Sequence, residues 1–307
     1  MNRRLRAMWI LVAVMTLWGC TFVLTKDVIG DIPPLTLAFV RVFIGFLILF
    51  PVALVRRLSM AQPRPELPWK AIFAMGGIGV TFYYGVFNLG LVYTSASQGA
   101  LVQSSIPAVT ALVAVLWLRE HASRIRIAGI ALSVVGVLII FSGSLTGDEA
   151  SAAPLMGMMG NLLVFLSVIA WGMYTSLAKQ FAHVDAIVLT AGVIGAGALL
   201  LLPIAMVEMQ GHTWPQLSAK QWGEVLLLGG GASGLAYMFY NLALQDVDAS
   251  QAGVFANLIP VVGVLSGILI LKEPISMRAI IGGLVVMAGV WLTGSEREQA
   301  QPQREKA

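Results

Sequence analysis

Apolar residues in this chain occur in long uninterrupted runs that are separated by short polar segments. A helix that crosses a bilayer needs about 20 consecutive apolar residues. Ten runs of roughly that length lie at about residues 8–26, 35–55, 70–92, 97–118, 125–143, 157–178, 186–207, 223–243, 250–271 and 277–294. Barrel strands alternate apolar and polar residues, and these runs do not. The pattern predicts an all-α integral membrane protein with ten transmembrane helices.

The polar landmarks of the first half return in the second half at a constant offset of 153 positions. Trp18, Gly19, Lys26, Trp69, Tyr84 and Asn88 return as Trp171, Gly172, Lys179, Trp222, Tyr237 and Asn241, and Ser97, Gln98, Pro107 and Glu120 return as Ser250, Gln251, Pro260 and Glu273. Because five predicted helices, an odd number, fall in each half, the two copies have opposite orientations, as in many secondary transporters. We therefore expect two inverted five-helix repeats over residues 1–145 and 157–294, a connecting loop over 146–156 and a cytoplasmic tail over 295–307.

Charge is scarce and unevenly placed. Charged residues make up 11% of the chain, compared with about 25% in a soluble domain. With a cytoplasmic N-terminus, 14 of the 19 Lys and Arg residues lie on the inner side, 4 lie on the outer side and Arg41 lies within the second run. This bias predicts a multi-pass protein of the cell inner (cytoplasmic) membrane with both termini in the cytoplasm. No basic patch interleaved with aromatic residues is present, so nucleic acid is not an expected partner.

The sequence offers little for catalysis or metal binding. Cys20 is the only cysteine, which excludes an intrachain disulfide and a zinc site built from thiolates. The three His residues form no metalloprotease-like or Ser-His-Asp pattern, and no ATP-binding motif is present. Residues 229–234 match G-x-G-x-x-G, but they lie inside an apolar run, where small residues favour close packing or a hinge. We expect no enzyme activity, no cofactor and no metal.

Polar and aromatic side chains inside the predicted helices indicate a cavity, because they are costly in lipid. Tyr84 and Asn88 lie one turn apart on one helix face, and their repeat equivalents do the same. For each such residue, an interhelical hydrogen bond is the alternative. Arg41, the most deeply placed cation, either binds an anion, acts in gating or snorkels to the outer interface. The predicted substrate-binding residues are Trp18, Thr21, Arg41, Tyr84, Asn88, Gln103, Ser104, Trp171, Tyr174, Tyr237, Asn241 and Asn257.

Carboxylates are confined to the ends of the predicted helices, where Glu120, Glu208 and Glu273 lie. Glu120 and Glu273 each precede a serine by three positions, and serine is a good N-cap. We interpret them as parts of tight helix corners, with a coupling carboxylate as the alternative. Transport would then run down the substrate gradient or couple through a site near a helix end.

Several of these residues together resemble the EamA family of the drug/metabolite transporter superfamily. Its opening signature is similar to Trp18-Gly19, Phe22, Lys26, Pro34, Ala38 and Arg41, and the likeness continues through residues 93–97, Pro107, 119–120, 249–251, Pro260 and 272–274. The resemblance implies a ten-helix basket with a central pathway lined by the first, third and fourth helices of each repeat. It also implies export of amino acids or other small metabolites. The second half departs from the signature, since Ile194 stands where Arg41 would recur.

The function predicted is therefore a secondary transporter that moves a small polar or amphipathic metabolite by alternating access. A proton-coupled multidrug exporter is the alternative, although the four-helix exporters of that kind carry an acid in the first helix and residues 8–26 contain none. Expected partners are the small-molecule substrate and membrane lipid, in a monomer or a dimer. Substrate identity, coupling ion and direction are not determined by the sequence.

Overall fold

The computed structural model describes residues 3–60, 66–117, 119, 123–145, 154–181, 183–211, 213–243 and 255–304, apart from the side chains of residues 144, 145, 241 and 294–304. These residues form helices joined by short connections. The helices are α1 (Arg3–Val28), α2 (Pro34–Leu58), α3 (Trp69–Tyr93), α4 (Ala96–Trp117), α5 (Arg124–Leu145), α6 (Pro154–Lys179), α7 (Ala186–Glu208), α8 (219–243), α9 (Leu258–Ile270) and α10 (Met277–Arg304).

Seven of these helices, α1 to α7, are long and apolar enough to cross a bilayer, counting only the residues described. Two further apolar segments are shorter, Leu258–Ile270 and Met277–Thr293. The all-α class predicted from the hydrophobic runs is confirmed for this part of the chain. The number of ten crossings and the inverted arrangement stay predictions.

Helices from the two halves pack mainly against each other. α1 contacts α8 and α9, whereas α6 contacts α3 and α4. α2 packs on α7, and α5 packs on α10. As a result α1, α3, α4, α6 and α8 converge in the interior, where helix faces from both halves meet.

The α5–α10 contact is the most extensive one between described helices, and glycine makes it possible. A Cβ atom on Gly136 would lie 2.6 Å from Val286 N and 2.7 Å from Gly282 O. A Cβ on Gly129 would lie 2.7 Å from Gly289 O. The two backbones therefore touch directly, which is the packing that small residues allow between helices in lipid.

Both α3 and α8 contain a π-helical segment at matching places in the repeat. The segments are Gly77–Phe82 in α3 and Leu227–Leu235 in α8. π-helical turns often mark functional sites. In α8 the glycine run packs closely on α2, because a Cβ on Gly229 would lie 2.7 Å from Ile44 Cβ and 3.0 Å from Arg41 O. The run at residues 229–234 thus serves helix packing.

Candidate functional site

Trp18 lies in the interior with its ring against two tyrosines of the other half. Its ring centroid is 5.4 Å from that of Tyr237 and 5.5 Å from that of Tyr240. The indole Nε1 donates a hydrogen bond of 3.0 Å to Ala232 O, in the π-helical segment of α8. This bond orients the indole and leaves its ring face for aromatic contact.

Trp171, the repeat equivalent of Trp18, makes the corresponding contact from the second half to the first half. Its ring centroid is 5.3 Å from that of Tyr83, on α3, and 5.2 Å from that of Tyr174, on its own helix. Each repeated tryptophan therefore packs against an aromatic residue on the third helix of the opposite half. Neither half contains this arrangement by itself.

Tyrosines join the two aromatic groups. The rings of Tyr83 and Tyr84 are 4.9 Å apart at nearly a right angle. Tyr83, Tyr174 and Tyr237 pack against the same apolar cluster, which contains Tyr84. The apolar rings and polar hydroxyls together suit an amphipathic ligand.

Arg41 lies at the edge of this cluster with its side chain packed inside the protein. The side chain is only 3% exposed, so it does not snorkel to a surface. Its Cζ is 4.5 Å from the centroid of the Tyr84 ring, a cation–π distance. Nη1 donates to Thr25 Oγ1 and Nε donates to Ser233 Oγ, each over 3.4 Å. Both hydrogen bonds are long.

Gln103 connects the aromatic cluster to α6. Its Nε2 donates to Ser167 Oγ over 3.2 Å, and the Tyr83 hydroxyl donates to its Oε1 over 3.3 Å. The sequence reasoning missed Tyr83 and Ser167. The spacing of Ser167, Trp171 and Tyr174 follows one helix face, so this pattern was the signal for Ser167.

The remaining predicted residues are placed differently. Asn88 is fully buried, and its Nδ2 donates to Pro34 O over 2.9 Å at the start of α2, which is the interhelical hydrogen bond named above as the alternative. Thr21 and Ser104 donate to backbone oxygens of their own helices. Asn257 is exposed, and the Asn241 side chain lies outside the described residues. The structure brings together Trp18, Arg41, Tyr84, Gln103, Trp171, Tyr174 and Tyr237.

Two carboxylates that the sequence places at helix ends bind the first turns of helices in the opposite half. Glu208 accepts from Leu35 N at 3.1 Å, from Thr36 N at 2.6 Å and from Thr36 Oγ1 at 2.7 Å. Glu273 accepts from the N–H groups of Ala96 and Ser97 at 2.8 and 2.9 Å. Both carboxylates accept hydrogen bonds from N–H groups that have no partner within their own helix, and both lie at the positive end of the helix dipole. Glu120 lies outside the described residues.

Replacing Glu208 by Gln is expected to leave downhill substrate flux largely intact while lowering thermal stability. The amide keeps one acceptor but loses a charge-assisted bond to α2, which costs about 1–3 kcal/mol. Flux in proteoliposomes without a pH gradient and the melting temperature measure the two effects. If the substitution abolishes a flux that strictly requires a proton gradient, Glu208 is a proton site and not a helix cap.

A separate groove of about 610 Å³ lies between α2, α3 and α7. Its walls are mostly apolar and include Phe43, Phe50 and Leu199, with Arg57 among them. None of the predicted substrate-binding residues lines it. It offers few polar groups that would orient a small polar ligand.

Apolar helices of bilayer length around an interior of aromatic and polar side chains define a polytopic membrane protein. The profile of the EamA-like transporter family matches residues 5–142 and 158–295. The chain belongs to this family, as the resemblance predicted, and it is a multi-pass membrane protein.

Named relatives agree with this assignment, and a solved structure shares the fold. A protein of Archaeoglobus fulgidus named an uncharacterized transporter is 29% identical over 294 residues, covering 94% of this chain and 99% of its own. A protein of Salmonella typhimurium named "Probable amino-acid metabolite efflux pump" is 24% identical over 292 residues, covering 91% of each chain. A crystal structure with 21% identity, a TM-score of 0.64 and coverage of 94% of this chain and 97% of its own has the same fold.

Proposed function

We propose that this protein is a secondary transporter of the cytoplasmic membrane that exports amino acids or other small metabolites by alternating access. The observation that carries the proposal is the exchange of aromatic contacts, in which Trp18 packs on Tyr237 and Trp171 packs on Tyr83. A site whose walls come from both halves changes its access when one half moves relative to the other.

The architecture proposed for this mechanism is ten helices in two inverted five-helix repeats. Support comes from the exchanged contacts, since α1 meets α8 and α9 while α6 meets α3 and α4. The contacts between α5 and α10 are reciprocal too. Gly129 meets Gly289 and Gly136 meets Gly282, and each of these second-half glycines is the repeat equivalent of the other first-half glycine. The family profile also matches one segment in each half.

Energy for transport is proposed to come from the substrate gradient. Among the described residues, the hydrogen bonds and ring contacts of Trp18, Tyr83, Trp171 and Arg41 involve no carboxylate. Glu208 and Glu273 are engaged by helix N-termini. This favours a downhill transporter over the alternative of a proton-coupled multidrug exporter, which needs an acidic proton carrier.

Both termini are expected in the cytoplasm and the loop at 146–156 outside. On a Cys20→Ser background, a membrane-impermeant maleimide should label Asp148→Cys in spheroplasts with intact inner membranes. The matched control, Ala300→Cys in the tail, should react only after lysis. Labelling of position 148 from the cytoplasmic side alone would contradict the ten-helix topology.

The function is tested by profiling metabolites outside cells that overproduce the protein. We expect a small set of amino acids or related metabolites to accumulate in the medium. Cells with an empty vector and cells producing an inactive site variant at an equal level provide the controls. Identical profiles in all three cultures would contradict an export function.

A further inference from the structure

Arg41 carries a buried positive charge that has no carboxylate partner among the described residues. Its side-chain contacts there are the Thr25 and Ser233 hydroxyls, each at 3.4 Å, and the Tyr84 ring. A guanidinium has five N–H donors and is always charged. Burying such a group without an anion is costly, so this position is not explained by the stability of the fold.

The acids described in the surrounding helices make no contact with Arg41. Glu224, on α8, pairs with Lys220 at 3.3 Å through Oε1, and its Oε2 has no hydrogen-bond partner among the described residues. Asp27, two residues from Thr25, forms an ion pair of 2.6 Å with Lys220. Glu208 and Glu273 accept hydrogen bonds from the starts of α2 and α4. The positive charge at Arg41 therefore remains open to an anion from outside the chain.

We infer that Arg41 binds the carboxylate of the transported compound, an inference that rests on the proposed function. A guanidinium matches a planar carboxylate through two parallel hydrogen bonds. The hydroxyls of Thr25 and Ser233 lie beside the guanidinium, and each has a hydrogen of its own to donate to the same carboxylate. The substrate class that follows is a small amphipathic carboxylate, amino acids included.

A phosphate ester fits less well, because a dianion calls for a second cation. Lys26 follows Thr25 in α1, but its ammonium group is already occupied, since it donates to Leu91 O at 2.5 Å and to Thr94 O at 2.8 Å. A single guanidinium balances a single negative charge. The charge at this site thus favours a monocarboxylate.

The asymmetry of the repeats gives the bound compound one orientation. Ile194, at the position equivalent to Arg41, is buried in an apolar cluster with α2 and α3 residues. The carboxylate end therefore lies toward Arg41, and the apolar end lies toward the Trp18 and Tyr237 rings.

The test compares the purified wild type with Arg41→Gln, Arg41→Lys and the control Arg57→Gln, which changes an arginine of α2 outside the site. Each protein is melted with the twenty amino acids and with the matched amides of phenylalanine and leucine. We expect at least one amino acid to stabilise the wild type and Arg57→Gln, while the amides do not. Affinity for that amino acid should fall roughly tenfold to a hundredfold in Arg41→Gln and less in Arg41→Lys, which keeps the charge but not the planar fork.

Stability without ligand separates binding from a structural role. Arg41→Gln should melt at the wild-type temperature or above it, because it removes an unpaired buried charge. The inference is overturned if unliganded Arg41→Gln melts well below the wild type. It is also overturned if amides and amino acids stabilise the wild type equally, or if Arg41→Gln lowers the affinity for none of the amino acids.

Flux in proteoliposomes distinguishes this inference from the proposed function. Binding that depends on Arg41 without any flux would refute transport and leave the carboxylate site standing. Flux of an amino acid that is unchanged in Arg41→Gln would refute the site and leave transport standing.

Discussion

Alanine at Trp18 or at Trp171 is expected to reduce substrate flux by about 30-fold or more in each case, the effect of losing an interaction worth roughly 2 kcal/mol. Each substitution removes an aromatic wall that the opposite half packs against, Tyr237 for Trp18 and Tyr83 for Trp171. Phenylalanine at either position keeps a ring and should restore part of the flux. Initial rates of labelled amino acid uptake into proteoliposomes measure the effect.

Trp69 provides the matched control, since it also recurs in the repeat, as Trp222, but its side chain is 58% exposed. Trp69→Ala should transport at the wild-type rate. Equal losses at all three tryptophans would mean that indole removal harms the fold in general. Loss at Trp69 alone would place the pathway elsewhere.

Leucine at Gly136 is expected to prevent accumulation of folded protein. Its Cβ alone would meet Val286 N at 2.6 Å and Gly282 O at 2.7 Å. Because these are backbone atoms, α5 and α10 must separate to make room. Overpacking of this kind costs about 3 kcal/mol or more, a large share of a total stability of about 5–15 kcal/mol.

Gly223→Ala serves as the control for the glycine substitution. Gly223 is helical, and no atom lies within 4 Å of the position of an added Cβ. We expect this variant to melt at the wild-type temperature or slightly above, in line with a gain of about 0.4–1 kcal/mol. A monodisperse Gly136→Leu protein with unchanged melting temperature would contradict the tight α5–α10 contact.

Hydrophobic runs placed several helices to within about one residue. The run predicted at 186–207 is the helix Ala186–Glu208, and the run at 97–118 is Ala96–Trp117. Length and composition suffice for this, because lipid requires continuous apolar segments. The π-helical segments were not predicted, since they depend on how the helices pack around their glycines.

The candidate site was predictable where a residue type is unusual for its place. Trp18, Trp171 and Arg41 stood out because such side chains are costly in lipid. Their partners did not stand out. Thr25 and Ser233 carry no pattern that sets them apart from other small residues in helices. Either Tyr83 or Tyr84 could have contacted Trp171. The rotation of α3 against α6 decides that it is Tyr83.

Asn88 shows the opposite case. Its recurrence as Asn241 and its spacing from Tyr84 suggested a cavity residue, yet its Nδ2 binds Pro34 O. A buried amide that links two helices has the same sequence signature as one that lines a cavity. Only the crossing of α3 and α2 decides between the two roles.

Solute counterflow with the purified protein in proteoliposomes tests the central claim most directly. Vesicles are loaded with unlabelled amino acids and diluted into labelled ones, with no ATP and no imposed pH gradient. We predict transient accumulation of the label for at least one amino acid, strongly reduced in Trp18→Ala and Trp171→Ala and unchanged in Trp69→Ala. Absence of counterflow for every amino acid would contradict a secondary transporter of amino acids, and equal counterflow in all four proteins would contradict one site shared between the two halves.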